Sequence, residues 1–243
     1  MKVIVIIPAA GLGTRMASSS ATAQGKAPSK QFLTIADAPI LVHTLRKFVD
    51  CKEVDEIYIA LRPQEAESFI SDLPEFGIDP KRIRIAEGGE HRQQSVANAL
   101  KVVKAEADDV VLVHDAVRPF VDHATIVAVI EGVKKHGAAI AGMPAVDTIK
   151  QVERTADGAL IRATIPREVL VQAQTPQGSR YGALKNAFDD AERNGFLGTD
   201  EASLLERLGQ DVYVVMGSPR NIKITTPSDL ELAEFYLGQE KGH

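Results

Sequence analysis

The first residues in this chain able to do chemistry form a glycine-bearing turn followed by two cations. Pro8-Ala9-Ala10-Gly11-Leu12-Gly13-Thr14-Arg15 comes directly after the apolar run Val3 to Ile7, and Lys30 comes next in Pro28-Ser29-Lys30-Gln31. Glycines at a strand end let backbone N–H groups approach phosphate oxygens that any side chain would hold off. Arg15 and Lys30 add fixed positive charge where a phosphorus centre gathers negative charge during transfer. Two look-alike loops do not fit. A dinucleotide fingerprint needs a third glycine where this chain has Met16, and a P-loop needs Ser or Thr where Ala27 follows Gly25-Lys26. The plainer reading is a turn that only joins strand to helix, and the paired cations argue against it.

Four further constellations carry charge or hydroxyls. In His114-Asp115-Ala116-Val117-Arg118-Pro119, Asp115 can hold Mg²⁺ directly or through water, and Arg118 can pair a phosphate. An ordinary Asp–Arg salt bridge closing a turn is the alternative, and His114 reads as a packing or hydrogen-bonding residue. Gly88-Gly89-Glu90-His91-Arg92-Gln93-Gln94-Ser95 opens a helix, so its glycine backbone can reach a base edge and the helix N-terminus can meet phosphate. Asn221-Ile222-Lys223-Ile224-Thr225 reads as a strand with Lys223 leaving one face and the isoleucines filling the other. Thr148, Arg167 and Gln174-Thr175-Pro176-Gln177 offer hydroxyls and a guanidinium suited to a phosphate-bearing polyol.

Elements that can position these groups alternate along the chain. Ile57 to Leu61, Ile83 to Ala86, Val110 to His114 and Ala138 to Met143 read as strands; Pro39 to Cys51, Gln94 to Lys104 and Thr125 to His136 have helical apolar spacing. The alternation predicts an α/β fold with a doubly wound, mostly parallel sheet, in which ligands sit beyond the carboxyl ends of strands. Pro8, Gly88 and Asp115 then line one crevice. Residues 146–171 break the rhythm as a β-hairpin turning at Ala156-Asp157-Gly158, which needs a partner subunit or its own domain to pack on. Ala17 to Ser29 is small, polar and aperiodic, a loop expected to order over ligand. Thr226-Pro227-Ser228-Asp229 starts a closing helix.

The 243 residues, 44% hydrophobic, predict one domain over residues 1–243. A net charge of −5 excludes non-specific nucleic-acid binding, and 5% aromatics with no Trp disfavours base-stacking platforms. The lone Cys51 permits no intramolecular disulfide and reads as a buried, inert thiol in a reducing cytoplasm. The first apolar run is too short for a signal segment and no membrane span is evident, so a cytoplasmic protein is expected.

Taken in order, Pro8 to Met16, Lys30-Gln31-Phe32, Gly88-Gly89, Arg92 with Ser95, His114 to Pro119, Asp147 to Lys150, Gln174 to Gln177, Thr199-Asp200-Glu201-Ala202 and Asn221 to Thr225 resemble the 2-C-methyl-D-erythritol 4-phosphate cytidylyltransferases of the non-mevalonate isoprenoid pathway. The resemblance covers nearly the whole chain. It implies a Rossmann-like nucleotidyltransferase fold with a protruding hairpin arm, and attack of the acceptor phosphate on the α-phosphorus of CTP with release of pyrophosphate. It further implies that Arg15 and Lys30 stabilise the transition state, while Pro8, Ala9, Ala10, Gly11 and Gly13 hold the triphosphate. Gly89 and Ser95 belong to the cytidine pocket, with Gly88 and Arg92 on the same nucleotide side. Asp115 serves Mg²⁺ and substrate placement; Arg167 and Lys223 grip the acceptor, with Ala116, Arg118, Thr148 and Thr175 nearby. The family's homodimers join through their arms, so Thr148 and Arg167 are expected to act in the neighbouring subunit's site.

The stretch between Arg15 and Lys30 is longer than the family's, which leaves Lys26 or Lys30 for the catalytic lysine; Gln31-Phe32-Leu33 following in register favours Lys30. Ribitol 5-phosphate cytidylyltransferases share much of the pattern, and a CTP-binding protein without turnover would keep the glycines yet could lose either cation. Thr199 to Ala202 with Pro166-Arg167-Glu168 favours methylerythritol phosphate.

Overall fold

Val3 to Ile7 is apolar at every position, the mark of a strand covered on both faces. The computed structural model, which describes residues 1–11 and 29–240, builds β1 (Val3–Pro8), β2 (Thr34–Ile35), β3 (Ala38–Pro39), α1 (Ile40–Val49), β4 (Glu56–Leu61) and α2 (Pro63–Asp72) in the first third. There follow β5 (Ile83–Glu87), α3 (Arg92–Val102), β6 (Val110–Val113), α4 (His123–His136), β7 (Ala138–Pro144), β8 (Ile149–Thr155) and β9 (Gly158–Ile165). β10 (Val171–Arg180), α5 (Tyr181–Asn194), α6 (Glu201–Arg207), β11 (Tyr213–Met216) and α7 (Pro227–Glu240) complete the order.

Seven strands form one sheet in the order β11-β7-β10-β6-β1-β4-β5. Only β10 runs antiparallel to its neighbours, so the mostly parallel, doubly wound expectation holds. Because strand side chains alternate faces, β1 feeds two cores. Val3, Val5 and Ile7 join Leu41, Leu45 and Phe48 of α1 and Ile126 to Val133 of α4, whereas Ile4 and Ile6 join Val96 and Leu100 of α3 and Leu184 and Phe188 of α5. Each such side chain, once fully buried, contributes about 1.5–3 kcal/mol of hydrophobic stabilisation. That burial fixes where β1 ends and where the turn at Pro8 begins.

One expectation needs revision, and β10 is not legible in the sequence. Asn221 to Thr225 is not a strand; the sheet edge is taken by β11, which polar flanks hide in the sequence. The segment is instead pinned by single bonds, Ile224 N–H to the Val117 carbonyl at 2.9 Å and Thr225 N–H to Asp229 Oδ2 at 2.8 Å, while Ile224 packs fully buried against Phe120, Ala233 and Leu237. Gln174 to Gln177 lies inside β10, an element that so polar a run does not suggest; its buried Thr175, Gln177 and Ser179 satisfy their polar groups internally. β8 and β9 do form the expected hairpin, separate from the main sheet, with Thr155 facing Gly158 across the turn.

Candidate functional site

β1 and β6 end side by side, and the segments leaving their two ends meet at one cavity of about 140 Å³. Pro8, Ala9, Ala10, Gly11, Lys30, Gln31, Arg92, Ser95, Asp115, Ala116, Val117 and Lys223 line it. Pro8 and Asp115 thus line one cavity, whereas Gly88 and Gly89 are not among the residues that line it. Gly13, Arg15 and Lys26 lie outside the described residues, as does the loop expected from Ala17, apart from its last residue Ser29. A larger hollow of about 340 Å³ between α3 and α5 holds one charged pair, Lys101 with Glu192, and gathers no comparable set of charges.

The turn after β1 is clamped by its carbonyls. Gln31 donates to the Ala9 carbonyl at 2.6 Å, and Arg62, at the end of β4, donates two bonds to the Ala10 carbonyl at 2.9 and 2.6 Å. Across one planar trans peptide the N–H points opposite to the C=O, so the N–H groups of Ala10 and Gly11 point away from these donors. Gly88 leaves no room for a side chain, because a Cβ there would overlap that of Ala10. The Gly89 N–H is given to Ser95 Oγ at 3.0 Å, which ties the turn to the first turn of α3.

Asp115 is the centre of the charge arrangement. Arg92 Nε reaches its Oδ1 at 2.9 Å; Arg118 Nε and Lys223 Nζ reach its Oδ2 at 3.3 and 2.9 Å. Burial alone would raise the Asp115 carboxyl, but Arg92 and Lys223, then Arg118, hold it far below the usual carboxylate range. Burial likewise opposes the Arg92 charge, and Glu201 with Asp115 more than reverses this. For Arg118 burial wins and its pKa falls. Arg118 also donates to the Asn221 carbonyl at 2.7 Å, which fastens the Lys223 segment beside Asp115.

His114 and Thr175 support rather than react. His114 Nε2 lies 3.0 Å from the Arg118 carbonyl and must donate to it, which leaves Nδ1 as acceptor for the Thr175 hydroxyl at 3.0 Å. Thr175 Oγ1 in turn accepts the Asp115 N–H at 3.1 Å. Full burial pushes His114 down to about 4, so it stays neutral. Thr175 thus orients Asp115 from beneath the cavity wall.

Thr148 and Arg167 are not among the residues that line the cavity. Both are exposed near the arm, where Arg167 Nη1 donates to the Val146 carbonyl at 2.8 Å. Three residues given no role from sequence belong to the site's frame: Gln31 and Arg62, which clamp the turn, and Glu201, which grips Arg92. Arg62 at a strand's carboxyl end is the readable signal among them. Glu201 lies in the Thr199 to Ala202 segment that carries part of the resemblance, but nothing in that segment points to Arg92.

The side chains do not fit a resident divalent metal. Among the described residues Asp115 is the single carboxylate lining the cavity and three cations already occupy both its oxygens, whereas Mg²⁺ seeks one or two available carboxylates. Among the described residues the one group of three potential ligands is Cys51, Glu53 and His123, none of which lines the cavity. Cys51 is buried there and its thiol is pushed up to about 11, in keeping with an inert role.

Residues 3–239 match the family described as IspD, 2-C-methyl-D-erythritol 4-phosphate cytidylyltransferase. The chain belongs to that family. It is similar to the enzyme of that name from Acidobacterium capsulatum, 57% identical over 98% of each chain, and to that from Solibacter usitatus, 49% identical over 99% of this chain and 97% of the other. Among solved structures, the cytidylyltransferase of Francisella tularensis superposes with a TM-score of 0.79 at 37% identity, covering 97% of this chain and 99% of its own. That of Thermus thermophilus gives 0.74 at 32% identity, covering 97% and 98%. Family membership makes the chain a nucleotidyltransferase of the non-mevalonate isoprenoid route, and no helix among the described residues is long and apolar enough to cross a membrane.

Proposed function

We propose that the cavity beyond β1 and β6 is where the family's reaction takes place: CTP and 2-C-methyl-D-erythritol 4-phosphate give 4-diphosphocytidyl-2-C-methyl-D-erythritol and pyrophosphate. One observation carries this reading: a turn clamped by its carbonyls borders Lys30 and the Asp115 cluster of Arg92, Arg118 and Lys223. The Ala10 and Gly11 N–H groups receive the triphosphate. Lys30, with Arg15 from the following segment, neutralises charge as it develops. An acceptor phosphate oxygen forms a bond to the α-phosphorus while the bond from that phosphorus to the bridging oxygen breaks, and its electron pair leaves with pyrophosphate. The attacking phosphate is already anionic, so alignment and charge suffice without a strong base. A divalent cation, Mg²⁺ on this reading, enters on the triphosphate as part of the substrate. Lys223 holds the acceptor phosphate beside Asp115, and Arg167 with Thr148 reach it from a second copy joined through the arm. The protein works as a cytoplasmic homodimer.

Purified protein given CTP, Mg²⁺ and methylerythritol phosphate is expected to release pyrophosphate, and to do so far more slowly with ribitol 5-phosphate; the reverse preference rejects the acceptor assignment. In the same assay Lys30→Ala should lower turnover by on the order of 10²-fold or more. An unchanged rate would assign the catalytic lysine to Lys26.

A further inference from the structure

We infer that Glu201 is a positioning residue for the acceptor phosphate, acting through Arg92 and Asp115 on Lys223. This rests on the cavity being the site of the reaction. Glu201 opens α6 and is buried at 2% exposure. Its two oxygens take Arg92 Nη1 and Nη2 at 2.7 and 2.9 Å, a forked pair that fixes the plane of the guanidinium. With one N–H of each terminal nitrogen on Glu201, Arg92 has its Nε on Asp115 Oδ1. All three donor nitrogens therefore serve carboxylates.

The consequence falls on Lys223. Of the three cations on Asp115 its side chain is the most open, 37% exposed against 27% for Arg92 and 12% for Arg118. It is the one best placed to take a phosphate while still held by Asp115. How Asp115 faces Lys223 depends on how Arg92 holds the other carboxylate oxygen, and Glu201 sets that.

Glu201 is itself anchored by a separate set of bonds. Asp200 caps α6 by accepting the Ser203 N–H at 3.0 Å, and Gln177 binds both Asp200 Oδ2 and the Ala202 N–H, at 2.9 and 3.1 Å. Thr175 and Gln177 both lie on β10, two positions apart. One strand thus steadies Asp115 through Thr175 and Glu201 through Gln177. Replacing the carboxylate by an amide removes the charge facing Arg92 and one of its two acceptors, so the guanidinium is released to turn toward an incoming anion and Asp115 loses its fixed partner.

Steady-state kinetics of Glu201→Gln, varied in each substrate with the other saturating, test this. The expected result is a fall of about tenfold or more in kcat/KM for the acceptor, with the KM for CTP within about twofold of wild type. Glu201→Asp, which keeps the charge on a shorter stem, should retain intermediate acceptor kinetics and wild-type CTP affinity, and it serves alone if the amide variant does not fold. Wild-type kinetics in both variants, or a parallel loss of CTP affinity in whichever folds, overturns the inference and leaves Glu201 a fold residue. Wild-type protein inactive with this acceptor would instead sink the assignment of the cavity.

Discussion

The Asp115 cluster and the hairpin arm carry the same kinds of residue in opposite physical settings. At the cluster a carboxylate 7% exposed is held by Arg92, which is tied to α6, by Arg118, which is tied to the segment before α7, and by Lys223, which lies in that segment. On the arm Arg167 is 55% exposed, beside Glu168 at 3.8 Å, and Val152, Leu160 and Ile161 turn apolar side chains to solvent. Seven strands and two cores support the first; the second is a two-stranded ribbon, marginal in water without a neighbour. A group ordered by its own chain can be tested by unfolding that chain.

The largest effect should come from emptying the cluster. Asp115→Asn leaves Arg118 and Lys223 without their shared carboxylate and halves the compensation of Arg92. Removing one member of a buried ion network typically costs about 3–5 kcal/mol, because the remaining charges stay desolvated and unpaired. Denaturant unfolding should show that drop as a lower midpoint at constant slope. Were the midpoint to stay within error, the cluster would be a solvated set of charges no different in kind from the arm.

His114 gives the next effect, through pH. Its folded pKa is lowered from 6.5 to about 4 by burial, so between these values the unfolded chain binds the proton that the folded chain refuses. Stability is therefore whole above pH 6.5 and declines as pH falls toward 4, by at most roughly 3 kcal/mol at about 1.4 kcal/mol per unit. Asp115 acts in a different window: its lowered pKa keeps its contribution intact above its unfolded value of 3.8 and loses it only on further acidification. Comparing wild type with His114→Gln at pH 6.5 and 4.5 isolates the histidine. Equal losses in both proteins would show that His114 does not supply the slope.

How far each feature can be read from sequence depends on how local its causes are. The turn at Pro8 and the acidic turn at Asp115 are legible because a run of branched apolar residues stops at each. Lys223 is legible as a site residue but reads as part of a strand, since Ile222-Lys223-Ile224 alternates; the alternation is real, with Ile224 buried and Lys223 on Asp115, yet no neighbouring strand supplies a ladder. β10 is hidden because its buried Thr175 and Gln177 are matched by His114 and Asp200, partners 61 and 23 positions away. Glu201 and Arg92 are separated by 109 positions, and no local pattern announces such a pair.

The arm supplies the smallest expected signal and the sharpest contrast. If Arg167 completes a cavity in the other copy, a protein with an intact cavity but no Arg167 and a protein with an intact arm but no Lys223 are each inactive, and together they rebuild one whole site. Mixing Arg167→Ala with Lys223→Ala protein, after dissociation and reassociation, should restore about a quarter of wild-type pyrophosphate release, since about half the dimers are mixed and each has one intact site of two. Neither variant alone should regain activity on the same treatment. No recovery in a mixture shown to have exchanged subunits would place Arg167 within its own chain's site or outside the reaction. In the first case the arm would have to bend toward its own cavity; in the second its exposed Leu160 and Ile161 would serve contacts unrelated to catalysis.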